Sequence, residues 1–247
     1  MDTLSTTPTP TTTFRRRFGA VTVVLAPVLF AVAELTSPTE GNDPAGDLGT
    51  QAAHHGQLLL SIGSGLVASI LFIPAFFALM NPVRRRGTVL THLGGGMALV
   101  GTALSGLALA GVDFILYEAS APGVDRAAVS RFLAHATKDP VGVPLVIGHY
   151  LFAVGLILLA AGLYRASVGP RWAAALLGLA PLLEAVVGSI GVPETIVVSG
   201  VIDLLLVIGA AGLARWLLTT TDAAWEGIAA QRDEPAAALD LAADGRR

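Results

Sequence analysis

Residues 141–164 read VGVPLVIGHYLFAVGLILLAAGLY. The run holds no Asp, Glu, Lys or Arg, and its one histidine is His149. At about 1.5 Å per residue, a helix of this length spans roughly 36 Å, enough to cross a hydrocarbon core about 30 Å thick. Five further apolar stretches flank it, at 18–35, 58–80, 89–112, 172–192 and 196–218. The fold class read from this pattern is all-α: a polytopic transmembrane bundle of six helices in a multi-pass membrane protein.

Composition agrees. The chain is 53% hydrophobic and 13% charged, with a mean hydropathy of +0.70, whereas soluble domains carry about 25% charged residues. A net charge of −3 without a basic stripe argues against nucleic acid as a partner. With no cysteine, thiolate metal sites, thiol catalysis and disulfides are excluded.

Arginines set the orientation. Arg15, Arg16 and Arg17 precede the first span, and Arg84, Arg85 and Arg86 lie between the second and third. Arg165 and Arg171 join the fourth to the fifth, and Arg215 closes the sixth. If the spans alternate, these nine fall on one side, and the other holds Arg126, Arg131 and Lys138. The positive-inside rule then places both termini in the cytoplasm, as expected of a protein of the plasma (inner) membrane. Arg15–Phe18 with the following apolar run and Ala31-Val32-Ala33 also fits a signal peptide, but five more spans favour an uncleaved first helix. Pro27, Pro74 and Pro181 sit inside spans, where neighbours must satisfy the carbonyls they free.

Around the 18–218 transmembrane domain, residues 1–17, rich in Thr and Pro, read as a disordered cytoplasmic N-terminus, and 219–247 as a mostly disordered cytoplasmic tail. Within that tail 222–231 fits a short surface helix with Trp225 as an interfacial anchor. On the outer side 37–55 reads as a turn-rich loop, and 125–138 as an amphipathic helix with Val129, Phe132, Leu133 and Ala136 on one face. That helix lies on the membrane or caps the bundle.

Span three carries Gly94, Ala98, Thr102, Gly106 and Ala110, a ridge of small residues at every fourth position. Such a ridge lets another backbone approach closely, either inside the bundle or as an oligomer interface with a second copy. Gly94-Gly95-Gly96 is no phosphate loop: it follows no strand and lacks the Lys-Ser/Thr of that motif.

Ionisable groups within spans are costly and mark candidate sites. Counting from the outer ends, His149 on span four, Glu184 on span five and Asp203 on span six all lie about 10–12 Å deep. Ser199 shares a face with Asp203, Glu34 and the pair His54–His55 sit at outer span ends, and His92 stands alone near the cytoplasmic boundary. His149, Glu184 and Asp203 are therefore the catalytic candidates. Two carboxyl groups and an imidazole suit a proton relay, a metal site with open positions, or acid catalysis on a lipid or isoprenoid. Haem held between His149 and His54 or His55 is a further alternative. No cofactor or metal is named by the sequence. Depth alone leaves open whether the three face one another or only bond neighbouring helices.

The segment Leu163-Tyr164-Arg165-Ala166-Ser167-Val168-Gly169-Pro170-Arg171-Trp172 and the 38–55 pattern leading into span two resemble those of small uncharacterised actinobacterial six-span integral membrane proteins. The resemblance implies a compact helical bundle and carries no catalytic residue. Two functional readings follow. One is a binding or accessory bundle with an outward-facing polar site for a small apolar or lipid ligand. The other is a membrane-embedded enzyme or proton-coupled transporter using His149, Glu184 and Asp203.

Overall fold

In hydrocarbon every backbone N–H and C=O must be satisfied within its own segment, and all six apolar stretches fold as α-helix. A computed structural model describes residues 10–38, 48–136, 143–190 and 196–226. The spans are α1 (Pro10–Thr36), α3 (His55–Met80), α4 (Thr88–Ala119), α6 (Val143–Ala166), α7 (Arg171–Ser189) and α8 (Ile196–Thr219), each long and apolar enough to cross a membrane. Short helices α2 (Leu48–Ala53), α5 (Arg126–Ala136) and α9 (Asp222–Trp225) complete the described residues, which contain no strand.

The spans close into a ring in chain order: α1 packs on α3, α3 on α4, α4 on α6, α6 on α7, α7 on α8, and α8 back on α1. Their faces are sorted as bilayer solvation requires. Along α8, Val197, Val201, Leu204 and Ile208 point outward at helical spacing, while Asp203, Leu206, Ala210, Leu213 and Leu217 are buried within. A soluble bundle would carry polar residues on that outer face.

The span-three ridge is used inside the ring. A Cβ on Gly94 would overlap the backbone nitrogen of Leu159, and one on Gly155 would lie 2.7 Å from the Gly94 carbonyl. Glycine at these positions permits α4 and α6 to touch backbone to backbone. Gly106 faces α3 instead, where a Cβ would stand 2.8 Å from Ser69 Oγ.

Several expectations at the chain ends need correction. Residues 10–17, expected to be disordered, form the first turns of α1, with Pro10 at the start where its missing N–H costs nothing. Arg16 is buried there and donates through Nη1 to the carbonyls of Leu217 (2.5 Å) and Leu218 (3.3 Å), capping α8. Trp225 is no exposed interfacial anchor: it is 2% exposed, and its indole N–H donates to the Ala78 carbonyl at 3.2 Å. Arg15 lies over its ring, and Asn81 donates to its carbonyl at 3.1 Å. The first turns of α1 and helix α9 thus lie on one face, and α9 closes that face between α1, α3 and α8.

On the distal face, the expected 37–55 loop contains α2. Leu48 there forms a small second core with Leu116, Ala119 and Leu133, joined by Val129. The amphipathic face of α5 is narrower than its sequence indicates, since Phe132 points away from this core. Helix α5 therefore caps the distal end of α4. The remainder of the 125–138 prediction, and of the tail beyond Glu226, lies outside the described residues.

Candidate functional site

Ring closure leaves one consequence at the distal end. The half of the bundle near the termini is filled by Leu156, Leu159, Leu163, Leu213, Leu217 and Trp225, whereas towards the distal half there is a cavity of about 300 Å³ to which all six spans contribute side chains. Its apolar wall is an aromatic cluster. Phe72 meets Phe152 edge-on at 5.4 Å, and Phe30 lies 6.3 Å from each.

The residues singled out by depth meet here. His149, Glu184 and Asp203 all line this cavity, together with Glu34 and Ser199. His149 Nε2 lies 3.6 Å from Glu184 Oε1, an ion-pairing distance slightly long for a hydrogen bond. Both are open to the outside, at 57% and 45% side-chain exposure. Asp203 is deeper, at 6% exposure, and its Oδ2 has no hydrogen-bonding partner among the described residues. The site therefore grades from a polar mouth at His149–Glu184, past Asp203, to an aromatic wall.

Three of the four hydroxyl groups on the wall are committed. Ser69, Thr102 and Ser105 each donate to the carbonyl four residues earlier in their own helix, at 2.9, 2.8 and 2.7 Å. Their protons stabilise helix and their oxygen lone pairs remain towards the cavity.

Other sequence candidates lie elsewhere. His55 bonds Ser120 Oγ at 2.6 Å and stacks on Tyr117 at 4.1 Å, and His54 bonds the Thr50 carbonyl at 3.0 Å. Neither lines the cavity, so the His149 pairing needed for haem is not assembled there. His92 bonds its own helix at Thr88, on the terminal side. Among the described residues no group of three or more His, Cys, Asp or Glu side chains is placed to hold a metal ion. The three candidates share a cavity without forming a coordination sphere.

No family model, curated protein or solved structure matches this chain. The cavity's own geometry carries the functional reading. Sequence reasoning missed its aromatic wall, because Phe30, Phe72 and Phe152 in apolar spans look like any other lipid-compatible residue. It also missed Ser69 and Ser105, whose hydroxyl groups satisfy their own helices and leave no signature.

Proposed function

We propose that this chain is a plasma-membrane (inner-membrane) protein with both termini cytoplasmic, whose bundle binds a small apolar or lipid ligand in the distal cavity, entered from the outer leaflet. The nine arginines on the terminal side support the orientation. The resemblance to actinobacterial six-span proteins supports the bundle alone. The observation that carries the reading is the convergence of His149, Glu184 and Asp203 on one largely apolar cavity. Ligand sites combine such an apolar wall with a few placed polar groups. Here the aromatic cluster takes the apolar body, and the three polar residues fix the orientation of its polar end.

A second reading, a proton-coupled transporter or an enzyme acting on a lipid or isoprenoid, draws support from the His149–Glu184 contact beside Asp203. A carboxyl–imidazole pair passes protons readily. Native mass spectrometry of protein released from membranes in a neutral detergent tests the shared premise. Wild type retains a discrete bound mass, and Val187→Phe, which narrows the cavity from α7, loses it while keeping its melting temperature. Equal ligand content in both would overturn the proposal. Turnover of the retained molecule, or its movement across vesicles with protons, decides for the second reading.

A further inference from the structure

The cavity is rich in acceptors and poor in donors. Among its described lining residues there is no Arg, Lys, Asn, Gln, Tyr or Trp, and the acidic members are Glu34, Glu184 and Asp203. The hydroxyl protons of Ser69, Thr102 and Ser105 are already given to helix carbonyls, which leaves Ser199 as the one wall hydroxyl not committed in this way. His149 is the sole basic group on the wall and stands beside Glu184. Asp203, more than nine-tenths buried, lines this space, and its Oδ2 has no hydrogen-bonding partner among the described residues. A buried acceptor of this kind is costly unless something donates to it.

Resting on the ligand-binding reading above, we infer that the ligand is a lipophilic cation: a protonated amine carrying an apolar body, with Asp203 and Glu184 facing its charge and its N–H donors. Phosphate-bearing lipids are excluded by the same chemistry, since recognising an anion calls for Arg, Lys or clustered N–H donors. Three carboxyl groups repel one. The Phe30–Phe72–Phe152 wall suits the cation as well as its apolar body, because aromatic faces attract ammonium groups. The open positions of His149 and Glu184 place the charged end towards the mouth, and the aromatic wall places the apolar end inward.

The test uses the full chain in a neutral maltoside detergent and three probes of matched chain length: octylammonium, 1-octanol and octyl phosphate. Binding is measured by titration calorimetry on wild type, Asp203→Asn and Val187→Phe. The inference predicts that the cation binds at least tenfold tighter than the alcohol and tighter still than the phosphate. Asp203→Asn erases that preference without lowering alcohol binding, and Val187→Phe weakens all three. If alcohol or phosphate binds as well as the cation and Val187→Phe still blocks it, the cation assignment is wrong while the cavity reading stands. If Val187→Phe changes nothing for any probe, both fail.

Discussion

Arg16 Nε lies 2.7 Å from Asp222 Oδ1, joining the first helix to the segment after the last across 206 residues. Thr13 also donates to Asp222, and Thr12 donates to Glu226 at 2.6 Å. This clasp holds Trp225 in place beneath α3. The Thr13 hydrogen bond first, then Arg16, keeps the Asp222 carboxyl below its ordinary value of 3.8. A lowered carboxyl pKa adds stability that is complete above the unfolded value and is lost as pH falls through the folded one. With Trp172 and Trp216 changed to Phe, Trp225 emission should stay constant from neutral pH down to about 4.5 and red-shift only at lower pH. Asp222→Asn removes that acid step, and Arg16→Ala lowers the melting temperature by roughly 5 °C or more. A transition near pH 6, or one that survives in Asp222→Asn, would contradict the clasp.

Two glycines one turn-fraction apart give opposite predictions. A Cβ at Gly94 collides with the backbone of α6, while one at Gly96 meets nothing within 4 Å. Gly94→Ala should destabilise the protein by about 1–3 kcal/mol through separation of α4 from α6. Gly96→Ala should be neutral or stabilising by up to about 1 kcal/mol, because alanine favours helix. Thermal unfolding in detergent measures both, and equal effects would show that α4 and α6 do not touch along this line.

Helix number was legible from sequence, because it depends only on the length and composition of the apolar runs. Azimuth was not. Both faces of a membrane helix are apolar, so nothing in the α8 sequence marks Leu206 as inward and Leu204 as outward until its neighbours are known. His149, Glu184 and Asp203 were therefore readable as a level, and that they line one cavity became visible only through ring closure. Chain ends misled for a different reason. Thr12 and Thr13 read as disordered by composition, and Trp225 as a surface anchor by residue type, whereas distant partners order both: Glu226 and Asp222 for the threonines, Ala78 and Arg15 for the tryptophan. Local propensity cannot register a contact made more than 200 residues away.

Orientation is open to a direct check, since the sequence contains no cysteine to confuse labelling. Single cysteines at Thr7 and Ala236 should resist an impermeant maleimide in intact cells and react after lysis. One at Thr50, on the distal side, should react in intact cells. Reaction of Thr7→Cys or Ala236→Cys from outside would reverse the topology.

The central claim is that a cavity opening to the outer face brings the polar residues of three helices together. Ser199 lines that cavity one turn from Asp203, so its replacement by cysteine places a thiol inside the proposed site. The decisive measurement is the rate at which Ser199→Cys reacts in intact cells with a small impermeant methanethiosulfonate, with and without Val187→Phe. The account predicts ready modification from outside, slowed at least tenfold by the added phenyl ring. A thiol inert from outside, or one modified equally fast with the cavity filled, would contradict it.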